Sequence, residues 1–237
     1  TAILWDPDKV RERIVKLIGM IMISGRAPRQ VAFAFEPGTV PTINADMYID
    51  QGVWIISTIY TYLCSTNDFS VLDETCGYLV PNSDDPHFLA NTAATKFTWS
   101  DKQETVLEHM VRIMGFLEYT LDREYGTNCL RVLRGDWNDA VDGLGESLDP
   151  GKLYGSGVTV MASLQFYTNL REMTEILRRV GKFGDLIPKY EALRAGIETG
   201  LFEHAIEREN GETRIIHGWG DKISYKVGGF HDPDGAN

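Results

Sequence analysis

The chain of 237 residues is 43% hydrophobic and 24% charged, ordinary proportions for a folded globular protein with a substantial buried core. Its formal net charge of −11 argues against nucleic acid or an anionic membrane as partner, because a polyanion is repelled overall, whereas a neutral carbohydrate meets no such barrier. Cys64, Cys76 and Cys129 are odd in number without metal-type spacing, and the five histidines form no ligand pair on a helix face, so a reducing, cytoplasmic setting and no metal site are expected.

Asp6 before Pro7 predicts a helix start, the side chain capping and the Pro taking the first helical position. Val10, Ile14, Leu17, Ile18, Ile21 and Met22 recur at helical spacing and carry that helix to Gly25. The apolar run Ile18 to Ile23 is far too short to span a bilayer, and no stretch reads as a signal peptide. Pro28, Pro37, Gly38 and Pro41 mark a long loop to Ala45 that carries Phe33 and Phe35. Asp50 opens a second helix through Val53, Trp54, Ile56, Ile59 and Leu63 with almost no charged face, which predicts burial on every side and Trp54 as core.

A shorter helix is expected from Asp68 to Leu79, then irregular chain from Pro81 to Phe97. Ser100 with Gln103 resembles a capping box ahead of the stripe Val106, Met110, Ile113, Met114, Leu117 and Leu121. Leu130, Val132 and Leu133 read as a short strand, residues 157–180 and 185–208 as helices, and Thr213 to Ile216 as a strand before a Gly-rich tail. Buried helices interleaved with amphipathic ones suit an all-α fold, part of a closed (α/α)6 barrel of inner and outer helices, since no fixed repeat period supports a solenoid. The segments 25–45, 80–98, 125–155 and 218–237 are expected to converge at one end of it.

One stretch remains, Arg134-Gly135-Asp136-Trp137-Asn138-Asp139-Ala140-Val141-Asp142-Gly143. Three carboxylates, an amide and an indole, followed by Gly145 and Pro150, predict a loop. Trp137 offers an apolar face suited to a sugar ring, and a neighbouring Asp can exchange a proton with an exocyclic sugar oxygen. The competing reading is an Asx turn whose Trp plugs the core. Residue chemistry alone leaves both open.

Gly135-Asp136-Trp137-Asn138-Asp139 followed by Gly143-Leu144-Gly145 resembles the catalytic loop of glycoside hydrolase family 94, the cellobiose phosphorylase family. Asp50-Gln51-Gly52-Val53-Trp54 is similar to the segment where these enzymes hold the non-reducing-end sugar, and Asn67 to Glu74 looks like a structural turn of the family. The resemblance implies an (α/α)6 barrel that breaks β-glucosidic bonds with inorganic phosphate, inverting the anomeric centre. It assigns the general acid to Asp139, the sugar site to Trp137 and Asp50 with Asp136 and Arg134 as further substrate contacts, and a phosphate contact to Arg29, which otherwise pairs with Glu36 or a helix C-terminus. Phosphate is then a co-substrate and no cofactor is needed.

The chain departs from the family at Ile43-Asn44-Ala45, where an Arg is usual, and at Lys226 to Asp232, where cellobiose phosphorylases carry other acceptor-site residues. A different acceptor is expected, a β-1,2-linked glucan among the candidates. Thr1 in place of an initiator Met and an unfinished loop at Asn237 lead us to expect one catalytic-domain fragment over residues 1–237, truncated at both ends, of a protein that forms a homodimer when complete. Asp139 has to keep its proton near neutral pH. Asp136 and Asp142 either repel its charge or are turned into backbone hydrogen bonds and leave that task to desolvation. An inverting hydrolase, which needs a second carboxylate as base, and a non-catalytic carbohydrate-binding helical domain are the alternatives.

Overall fold

A computed structural model describes residues 2–32, 39–82 and 96–233. Among them lie six α-helices: α1 (Ala2–Trp5), α2 (Pro7–Ile18), α3 (Asp50–Thr66), α4 (Val106–Tyr119), α5 (Val160–Val180) and α6 (Leu186–His204). Five two-stranded antiparallel ladders add to the helical expectation. The chain divides into two compact units, one of residues 1–47 and 54–116, the other of residues 48–53 and 117–237. Phe33, Phe35, Glu36 and residues 83–95 and 234–237 lie outside the described residues, and with them the expected Arg29–Glu36 pair.

In the first unit, α2 starts as its sequence dictates, Asp6 accepting from the Lys9 amide at 3.1 Å with Pro7 in the first turn. It stops at Ile18 rather than Gly25. Met20, Ile21 and Met22 are all buried, and in place of a continued helical ladder Ile21 and Ile23 exchange backbone bonds with Leu79. Met20, Met22, Ala45 and Leu79 form one core cluster beneath Ile43, Phe97 and Trp99. The helix expected from Asp68 is only a 3₁₀ turn, Phe69–Asp73, capped by Asp68. Beyond it the chain turns extended, Thr75–Cys76 pairing with Glu104–Thr105 and Leu79–Pro81 with Phe97–Trp99, in the register Leu79 to Trp99.

The capping box of α4 sits five positions later than expected. Thr105 and Glu108 exchange backbone-to-side-chain bonds at 2.7 and 3.2 Å, because Glu104 and Thr105 are held as a strand until that point. Helix α3 is not buried all round: Trp54 is 44% exposed, and Thr58, Thr61 and Ser65 continue its open, uncharged stripe. His109 is a core residue, its ring nitrogens 2.8 Å from the carbonyls of Thr105 and Gly77 and its ring stacked on Tyr78 at 3.9 Å.

Next to that stack, Arg112 donates twice to Glu104, at 2.5 and 2.9 Å, Lys102 adds an ion pair at 2.6 Å, and the Tyr78 hydroxyl donates to the same carboxylate. These partners, Arg112 foremost, hold the Glu104 carboxyl well below the usual glutamate range. A carboxyl depressed by folding stabilises the protein above its unfolded pKa, and the contribution fades as pH falls. Glu104→Gln is expected to lower stability by about 2 kcal/mol near neutral pH. The gap to the parent protein should narrow once pH drops below the ordinary glutamate value of 4.5; urea unfolding on either side of that value checks this, and a gap that stays constant counts against it.

In the second unit, α5 is capped at one end by Thr159 and at the other by Gly181 in the left-handed conformation, whose amide reaches the Leu177 carbonyl. Phe166, Leu170, Met173 and Leu177 of α5 and Tyr190, Ile197 and Leu201 of α6 are buried. Phe202, beside Leu201, is 63% exposed. α6 ends at His204, and the hairpin Ile206–Glu209 with Glu212–Ile215 follows. Leu130 to Leu133 make isolated bridges instead of a strand, Arg131 with Val158 and Leu133 with Tyr48. No helix among the described residues is long and apolar enough to cross a membrane.

Candidate active-site loop

The loop from Arg134 to Gly145 belongs to the second unit, as do Asp50 and Tyr48. The chain enters it through Leu133, a buried leucine with φ of 56°. A left-handed leucine costs about 1 kcal/mol or more, and it turns the backbone sharply at this point. The only regular piece inside is the 3₁₀ turn Asp139–Val141. It closes on Gly143, whose φ of 81° suits glycine and whose amide bonds back to the Arg134 carbonyl at 3.2 Å.

Val132, Val141, Leu144 and Val227 form the apolar base of the loop. Around that base four glycines let backbone meet backbone. A Cβ on Gly145 would strike the Leu133 carbonyl, one on Gly157 or Gly220 the Leu144 carbonyl, and one on Gly218 the Val158 carbonyl. Gly135 is equally confined, its Cβ direction filled by Asp142 and Tyr48. Asp221 fastens the next bend, accepting from the amide of Ser156 at 3.0 Å and from its hydroxyl.

The carboxylates divide sharply. Asp136 is 2% exposed and both its oxygens are engaged: one accepts from the Asn138 amide at 2.6 Å, the other from the Thr159 hydroxyl. Burial pushes its carboxyl upward, opposed by those two bonds, with the charges of Asp50 and Asp142 adding to the rise. Asp142 is exposed like Asp139 but accepts from the Tyr48 hydroxyl at 2.9 Å. Asp50, also 2% exposed, is the first residue of α3 and accepts from Gln51 at 2.8 Å. Asp139 is exposed, and Trp137 is 74% exposed.

The Asx turn and the presented indole are thus both present. Asp136 makes the turn, while Trp137 does not plug the core. Asp136 and Asp142 are turned into hydrogen bonds within the protein. Arg134 is exposed, at the mouth of the same loop. Arg29 belongs to the first unit, half-buried and 4.0 Å from Asp46.

Tyr48, Thr159 and His217 are three participants that the reading of the sequence did not single out. The Nδ1 of His217 lies 3.3 Å from the Asn138 side-chain nitrogen. Only for Thr159 was a signal present, a Thr just ahead of a helical stripe. No group of three or more potential metal ligands occurs among the described residues. An apolar groove of about 320 Å³ between α5, α6 and the hairpin, walled by Leu164, Tyr167, Phe202 and Ile215, takes no wall from this loop. Its scarcity of polar groups suits a sugar poorly.

A helical protein that anchors one acid-rich loop and leaves an indole and two carboxylates exposed has the elements of a carbohydrate-active domain. Residues 1–226 match the glycosyl hydrolase 94 superfamily, catalytic domain, and the chain belongs to that superfamily. It is 28% identical over 139 residues to a solabiose phosphorylase of Paenibacillus borealis, covering 58% of this chain and 14% of that protein. Against the N,N'-diacetylchitobiose phosphorylase of Vibrio furnissii it is 25% identical over 84% of this chain and 21% of the relative, and against that of Vibrio proteolyticus 23% identical over 92% and 26%. The chain therefore spans about a quarter or less of the length of these relatives.

The close backbone packing yields a direct expectation. Gly145→Ala should destabilise the protein by about 1–3 kcal/mol, because the new methyl group meets a carbonyl and not a movable side chain. Differential scanning calorimetry reads the shift, and an unchanged unfolding midpoint would contradict the described contact.

Proposed function

We propose that the protein is an inverting glycoside phosphorylase acting on a β-linked glucose disaccharide or oligoglucan, built on an (α/α)6 barrel of which these helices form part. The observation that carries the proposal is the division within the loop. Asp136 is buried and bonded on both oxygens, whereas Trp137 and Asp139 stand exposed two residues apart. Membership of a superfamily in which the relatives named above are disaccharide phosphorylases supports the same reading.

In this reading the sugar stacks on the Trp137 indole and Asp139 holds the proton. An oxygen of inorganic phosphate attacks the anomeric carbon from the opposite face while the bond from that carbon to the bridging oxygen breaks. Asp139 gives its proton to the departing oxygen. The products are α-glucose 1-phosphate and a sugar with a free hydroxyl, and the Asp139 carboxylate takes a proton back from solvent. Phosphate arrives as an anion, so no second carboxylate is needed to activate it, and no cofactor enters. The buried Asp136 would position the loop rather than touch sugar.

Asp139→Asn in the intact protein is expected to lower kcat for phosphorolysis by about 10²–10⁴-fold, the usual contribution of a general acid. Release of glucose 1-phosphate from β-glucosides, followed with and without phosphate, is the measurement. Sugar release that ignores phosphate would replace this reading by hydrolysis, and parental turnover in the Asn variant would remove the acid.

A further inference from the structure

The inference concerns a residue outside the loop and rests on the phosphorylase reading above. Thr159 is fully buried just ahead of α5, and its side chain makes two bonds at once. Its oxygen accepts from the Ala162 amide at 3.3 Å, capping the helix, and its proton goes to Asp136. The other Asp136 oxygen takes the amide of Asn138, the residue directly before Asp139.

Thr159 itself has little freedom. Its amide donates to the Leu130 carbonyl at 3.1 Å, its carbonyl accepts from the Ser163 hydroxyl at 2.5 Å, and it pairs with Gly218. Asp, Asn, Ser and Thr all cap helices well, but only the hydroxyl residues accept from the helix amide and donate an O–H proton from the same atom. An Asp here would face Asp136 as a like charge. The chemistry of the position therefore exceeds what capping α5 requires.

We propose that Thr159 is a positioning residue for the acid: acting through Asp136, it ties the Trp137–Asp139 turn to the start of α5, so that the Asp139 carboxyl meets the glycosidic oxygen in one orientation. Misplacing a reacting group by about 1 Å costs on the order of 10²-fold in rate, which is the scale at which losing this tether should be felt.

The test is steady-state phosphorolysis by the intact protein carrying Thr159→Val, Thr159→Ser, Asp136→Asn or Asp139→Asn. Thr159→Val should lose about 10–100-fold in kcat with KM for sugar and phosphate changed by no more than about threefold. Thr159→Ser, which keeps the hydroxyl, should recover to within about threefold of the parent. Asp136→Asn should fall as Thr159→Val does, and the double variant should be no worse than either single one, because both cut the same tether.

A folded Thr159→Val protein with parental kcat overturns the proposal, and so does a Ser variant as slow as the Val one. Should Thr159→Val not fold, Asp136→Asn decides: a lowered kcat at unchanged KM supports the tether, and parental kcat sinks it. Parental turnover in Asp139→Asn takes down the phosphorylase reading and the tether together. An inactive Asp139→Asn beside a fully active Thr159→Val removes the tether alone.

Discussion

The second unit is organised around one buried carboxylate. Placing the charge of Asp136 out of water is unfavourable unless donors replace the water, and here two do so, the Asn138 amide on one oxygen and the Thr159 hydroxyl on the other. Thr159 is also the cap of α5, so the carboxylate lies close to the end of a helix where amides point outward and negative charge is favoured. The bonds offset the desolvation and fix direction as well. A carboxylate held from two sides can occupy one place only, and the three residues that follow it inherit that constraint.

The same economy of space explains the glycines. Gly145, Gly157, Gly218 and Gly220 each have a carbonyl where a side chain would project, so three separate stretches of backbone close around Leu144 and Val158 without intervening side chains. Leu133 accepts a left-handed backbone at the entrance to this packing. Strain of this kind persists where surrounding contacts over-determine it, and the isolated bridges from Tyr48 to Leu133 and to Gly135 supply some of those contacts.

How much of this was legible in the sequence follows from the range of each interaction. The starts of α2 and α3, the amphipathic stripe of α4 and the helical character of residues 160–180 rest on neighbours a few residues apart, and the pattern revealed them. The stop of α2 at Ile18, the strands around Cys76 and the true cap of α4 at Thr105 depend on partners 28 or more residues distant, which no local period records. The helical stripe Ile18, Ile21 and Met22 misled for that reason: Leu79, from far along the chain, captures the backbone. In the loop, composition announced a turn with an indole and a surplus of carboxylates. Which carboxylate is structural and which is presented could not be read, because the partners that decide it, Thr159 and Tyr48, lie outside the motif.

That division bears on the proposed use of a single carboxyl as an acid. Asp136 and Asp142 accept from the Asn138 amide and from the hydroxyls of Thr159 and Tyr48, and Asp139 stands exposed beside them. Under the proposed function, a sugar laid against the Trp137 indole would bring its glycosidic oxygen toward that exposed carboxyl. On this reading the loop is rigid beneath and open above. Under the proposed function, the buried aspartate would set where the acid stands and the exposed indole where the sugar lies.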